Sequence, residues 1–164
     1  MKNNGFTLIE ALFAILLVGL AIASLMGANT SFTRSNGAGA ELSTAEFLLE
    51  QVKELTATLP VSDPQSPTWT FGLEEASLGA YDDVDDFDDD GDGASFSPPI
   101  SAGGAPLTDF AAFTQQVTVQ KVSASNFGLV VPDNDPSTAF VRVTVKVLHN
   151  SAEISSASWI RARY

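Results

Sequence analysis

The sequence predicts an α+β chain in which one long N-terminal helix packs on a small antiparallel C-terminal β-sheet. Three observations carry this. Residues 11–28 hold no charge and a single polar side chain, Ser24. A second helical period runs through residues 41–59, and residues 140–148 alternate valine with polar side chains.

The apolar run comes first. A helix that crosses a bilayer needs about 20 mostly apolar residues at ~1.5 Å rise each, and 11–28 with its apolar flanks meets that length. Helical spacing resumes after the small polar stretch 29–40. Leu42, Ala45, Leu49 and Val52 follow a 3-4-3 pattern that Leu48, Leu55 and Leu59 widen into a stripe, and Pro60 ends it. Gly37 and Gly39 each lower helix stability by roughly 1 kcal/mol against Ala, so the long helix is expected to be weakest there.

Residues 60–112 hold six of the eight prolines and the densest charge, which predicts a loop-rich acidic insertion with short strands possible around residues 68–71. In the last third, residues 113–122 are rich in β-formers. Val141, Val143, Val145 and Val147 then share one strand face, with Arg142, Thr144 and Lys146 on the other. Such alternation marks an antiparallel sheet covered on one side. Residues 154–164 are the next strand candidate, joined to 140–148 through a turn at His149-Asn150-Ser151. The expected organisation is therefore 1–5 leader, 6–28 membrane helix, 29–59 continuation of the helix, 60–112 acidic insertion and 113–164 sheet.

Composition narrows the function. The net charge is −12, from 20 acids against 8 Lys and Arg, and eight of the acids lie within 82–92. Without clustered cations to neutralise phosphates, nucleic-acid binding is not expected. There is no cysteine, which removes disulfides, thiol chemistry and Cys-based metal sites. No Gly-x-Ser-x-Gly elbow or phosphate-binding glycine loop is present, so no enzyme is predicted. The sole histidine, His149, reads as a turn residue, and Trp69 and Trp159 as core or interface aromatics.

Glu10 stands at the head of the apolar run, where an acidic side chain costs roughly 2.5–3.5 kcal/mol if it reaches the bilayer centre. A carboxylate kept there, without an evident partner in its own chain, is expected to find one elsewhere. It belongs to the string Gly5-Phe6-Thr7-Leu8-Ile9-Glu10, behind a short leader with Lys2. This string resembles the processing signature of type IV prepilins and type II secretion pseudopilins. The resemblance covers residues 2 to about 25. It implies that a prepilin peptidase cuts between Gly5 and Phe6 and methylates Phe6, and that Glu10 is the carboxylate used in assembly. It also implies a pilin-like fold and, as partners, other pilin or pseudopilin subunits and the inner-membrane assembly platform. The expected role is a structural subunit, a minor one, of a type IV pilus or type II secretion pseudopilus. Lys2 before the run and Arg34 as the next cation place the leader in the cytoplasm and the C-terminal bulk outside, and the resemblance implies that this bulk joins a periplasmic or cell-surface filament. A secretory signal peptide would leave Glu10 and the Gly-Phe-Thr-Leu-Ile-Glu string without a purpose.

The acidic run is the second candidate site. Residues 86–91 and 88–93 both fit the Asp-x-Asp-x-Asp-Gly start of a calcium loop, although Ser97 and Pro99 replace the bidentate Glu at the twelfth position. If Gly91 and Gly93 bend the chain, Asp86, Asp88, Asp90 and Asp92 could converge on Ca2+. The competing expectation is a solvated acidic loop. A membrane-anchored calcium-binding or adhesive, ligand-binding module is accordingly the alternative function.

Overall fold

A computed structural model of the chain describes residues 5–63, 71–72, 75, 77–91 and 93–163. Among the described residues one α-helix, α1 (Leu8–Thr58), precedes five strands: β1 (Ala94–Phe96), β2 (Phe113–Ser123), β3 (Asn126–Val130), β4 (Phe140–His149) and β5 (Ala152–Ala162). All pairings are antiparallel, in the order β1-β2-β4-β5, with β3 paired to the end of β2. The expected α+β architecture, a long helix with a small antiparallel sheet, is the one observed.

The chain divides into two compact units, residues 1–40 and 41–164. In the first, every described side chain from Gly5 to Ala40 is exposed, including the whole apolar run. The helix continues through Gly37 and Gly39 without a break.

In the second unit, Ala45, Leu48, Leu49 and Val52 of α1 are buried against the valine face of the sheet. Val141, Val143, Val145 and Val147 are fully buried and register with Arg161, Trp159, Ala157 and Ser155 of β5. Leu42, placed by spacing in the buried stripe, is 42% exposed. Thr56 is buried instead, its hydroxyl donating to the Val52 carbonyl at 2.9 Å. Arg161 donates to the carbonyls of Thr56 and Leu59, which caps the open C-terminal turn of the helix. Gln115 is fully buried on β2 and ties three elements. It accepts from Ile100 N (2.7 Å) and donates to the carbonyls of Leu48 (2.7 Å) and Ile100 (3.1 Å).

The turn between β4 and β5 consists of Asn150 (φ 49°) and Ser151 (φ 69°), the left-handed pair that a two-residue hairpin matched to sheet twist requires. His149 belongs to the strand rather than the turn. Its ring stacks on Phe113 at 4.5 Å, and its Nδ1 lies 3.6 Å from a Glu41 oxygen. Two strands have no counterpart in the sequence reading. β1 has only three residues, and β3 is exposed throughout, so neither shows an alternating buried face. The strand possible near 68–71 falls outside the described residues except at Phe71, which is not in a strand.

Candidate functional site

At the head of α1, Gly5 and Phe6 precede the first helical turn and are exposed. Thr7 and Glu10 form a reciprocal cap. The Thr7 hydroxyl accepts from Glu10 N, while a Glu10 carboxylate oxygen accepts from Thr7 N and from the Thr7 hydroxyl, each at 3.4 Å. This is the capping-box arrangement, which satisfies donors that a helix start leaves open and sets a negative charge at the positive end of the helix dipole. Glu10 is therefore not without a partner in its own chain, contrary to the expectation from sequence. The Thr-x-x-Glu spacing was the signal for this. Each contact is long, so the carboxylate stays open to a stronger donor.

The acidic segment departs from the solvated loop considered above. Residues Asp85–Gly91 form a 3₁₀ helix, and Asp83, Asp85 and Asp86 are fully buried, with Asp88 3% exposed. Apolar anchoring explains it. Val84 and Phe87 are fully buried, Phe87 meets Tyr81 (5.1 Å) and Phe96 (6.0 Å) edge-on, and Val84 N bonds to the Pro60 carbonyl at 3.0 Å. Sinking these two side chains draws the intervening carboxylates in with them.

A 3₁₀ helix turns about 120° per residue, so side chains two apart face different ways. Asp86 Oδ2 accepts from Asp82 N (3.0 Å) and Asp83 N (3.3 Å), and Asp83 Oδ1 accepts from Asp86 N (3.2 Å). Asp88 lines a cleft with Val119, Gln120, Val130 and Asp133. Asp92 and the Asp90 side chain lie outside the described residues. Of the four aspartates that spacing offered as a calcium set, the structure brings Asp86 together with two other groups. Carboxylate oxygens of Glu75, Asp82 and Asp86 lie within 4.8 Å of one another, an arrangement that could hold a metal ion.

The electrostatics match this crowding. A hydrogen bond to the Asp86 carboxyl, which only protonated Glu75 can donate, raises Glu75 to about 7. Burial and repulsion from Asp86, Asp82 and Asp83 act in the same direction. Burial raises Asp83 as well, against opposing hydrogen bonds. Lys121 is buried on β2, where the charges of Asp133, Asp135 and Asp85 act on it. It donates to the carbonyls of Asp133 and Asp135, lies 5.6 Å from the Phe71 ring, and is lowered by desolvation. Glu75, Gln115 and Lys121 were not singled out by sequence. Glu75 lies seven residues before the acidic run, a separation that no metal-loop spacing connects.

The first unit thus presents an exposed eighteen-residue apolar run headed by Gly-Phe and a capped glutamate. Residues 1–26 match the family model of the prokaryotic N-terminal methylation motif. That motif is the signature of type IV pilins and pseudopilins. It implies processing by prepilin peptidase and assembly with other pilin subunits. No curated protein and no solved structure matches the chain. The methylation motif and the apolar helix behind it fit a membrane-anchored protein with an exported C-terminal part, and they suggest a structural subunit rather than an enzyme.

Proposed function

We propose that the chain is a minor subunit of a type IV pilus or type II secretion pseudopilus. Prepilin peptidase removes residues 1–5 by cutting between Gly5 and Phe6, and Phe6 is methylated. Residues 6–28 then hold the subunit in the inner membrane, with residues 29–59 continuing the helix. The acidic insertion 60–112 and the sheet region 113–164 stand on the exported side, and become part of a periplasmic or cell-surface filament. The observation that carries this reading is the matched motif on a helix whose apolar run is exposed along its whole length. Such a surface is stable only in lipid or against other helices. The assembly platform and neighbouring subunits supply the second environment. Glu10, loosely capped by Thr7, is the group free to exchange its local bonds for the amine of a neighbouring Phe6.

Mass spectrometry of the membrane-extracted protein tests the cut. The expected N-terminus is N-methyl-Phe6, and Gly5→Leu should leave the full-length chain because the peptidase needs no side chain before the cut. An intact Met1 in the wild-type protein, or normal processing of Gly5→Leu, removes the assignment.

We infer in addition that the acidic segment takes calcium. Support comes from the burial of Asp83 and Asp86, which is costly for carboxylates, and from carboxylate oxygens of Glu75, Asp82 and Asp86 gathered within 4.8 Å of one another. The full chain in detergent should then unfold at a higher temperature in millimolar calcium than in chelator. Free calcium at 100 times its Kd adds about 2.7 kcal/mol. Equal unfolding temperatures would end this reading.

A further inference from the structure

The calcium inference leaves the ligands open, and the geometry selects among them. We propose that a calcium ion is held by Glu75, Asp82 and Asp86, a set that reaches outside the acidic run and clips it to the segment before it. The inference rests on the acidic segment taking calcium at all, and it differs from the sequence motif in making Glu75 a ligand.

Two independent observations lead here. The first is placement: one oxygen from each of the three carboxylates lies within 4.8 Å of the others. Calcium–oxygen distances of about 2.3–2.6 Å put ligand oxygens that close around one ion. The second is an unmet need inside the fold. Asp86 is fully buried, and no N–H donor among the described residues reaches its Oδ1. Asp83 is equally buried, held by its Oδ1 to Asp86 N, and no N–H donor among the described residues reaches its Oδ2. The second Glu75 oxygen is also without one. None of the Lys, Arg or His ion pairs among the described residues involves Glu75, Asp82, Asp83 or Asp86. The Asp86 carboxylate, whose Oδ2 accepts two N–H bonds, thus keeps a buried Oδ1 that no N–H reaches and has no ion pair among the described residues, and a bound cation answers both lacks.

The two flanking ligands suit a site at the surface. Asp82 is exposed and Glu75 half-buried, so water can complete the six to eight oxygens that calcium takes. Calcium fits better than magnesium, which demands a tight octahedron and gives up its waters reluctantly. Asp88 lines a cleft with Val119 and Val130 and is not among these ligands.

The test is calorimetric titration of calcium into chelator-treated full-length protein in detergent at about pH 7.5. Glu75→Gln and Asp82→Asn each keep size and polarity at positions outside the core, and circular dichroism would report their fold. Each should weaken calcium binding at least tenfold, while Asp88→Asn stays within about twofold of wild type. Wild-type affinity in Glu75→Gln would overturn the ligand set and leave calcium binding by the segment standing. No binding by the wild-type chain would overturn both.

Discussion

Glu10 stands at the head of α1, where the proposed assembly contact falls. At the helix start its carboxylate accepts two bonds from Thr7, each long enough to be exchanged. Glu10→Ala should therefore retain membrane insertion and processing but lower incorporation into filaments, measured as the sheared-filament fraction against total protein. Undiminished incorporation would show that another group makes the docking contact. Gln115 is the corresponding residue in the exported part. It is a fully buried amide whose bonds join β2 to α1 and to the Ile100 segment. Replacement by Leu keeps the bulk but strands Ile100 N and two carbonyls, at about 1–3 kcal/mol for each group left unmet. A clear fall in the unfolding midpoint is expected, and a change within about 0.5 kcal/mol would mean that water replaces the amide.

Among elements, α1 and the sheet meet in one buried core formed by Ala45, Leu48, Leu49 and Val52 and the valines of β2 and β4. Leu48 is fully buried against the valines of β4, and Leu48→Ala should cost about 2–5 kcal/mol through lost burial and a cavity. Chemical denaturation of the full chain in mild detergent would measure it. The join between the acidic segment and β1 is decided at Gly93. It has φ +78°, and an added Cβ would lie 2.5 Å from the Val117 carbonyl oxygen. That oxygen belongs to the β2 backbone and cannot swing aside, so Gly93→Ala should loosen β1 from β2 and expose Phe87. Increased binding of a hydrophobic dye, with β4 and β5 still protected in amide exchange, is the expected pattern. Unchanged dye binding would mean that β1 shifts without cost.

On the scale of the whole molecule, a charge of −12 must be carried without folding energy being lost to self-repulsion. The exported part concentrates that problem at Glu75, Asp82, Asp83 and Asp86. Glu75 has a folded pKa of about 7, above its unfolded value, and Asp83 is also raised. A raised carboxylate contributes stability that is complete below its unfolded pKa and is lost as pH rises through the folded one. In chelator, then, the unfolding temperature should fall between about pH 5 and pH 8, and Glu75→Gln should flatten part of that fall. A profile that rises over this range would place the dominant titration elsewhere.

Sequence alone determined the parts whose physics is local or periodic. The apolar run, the stripe from Ala45 to Leu55, the valine alternation of β4 and the Gly-Phe-Thr-Leu-Ile-Glu string each declare themselves within a few residues. The turn expected at His149-Asn150-Ser151 was legible to within one residue, since Asn is among the few side chains that favour a left-handed backbone. Tertiary structure decided the rest. The exposed β3 and the three-residue β1 become strands only because β2 offers them an edge, and no propensity announces that. The acidic segment is buried because Val84 and Phe87 sink into the core, overriding a composition that reads as solvated. Glu75 reaches Asp82 and Asp86 only through the path of the intervening chain. Periodicity reports which face of an element is apolar, whereas the meeting of charges from separate segments depends on where the core pulls each of them.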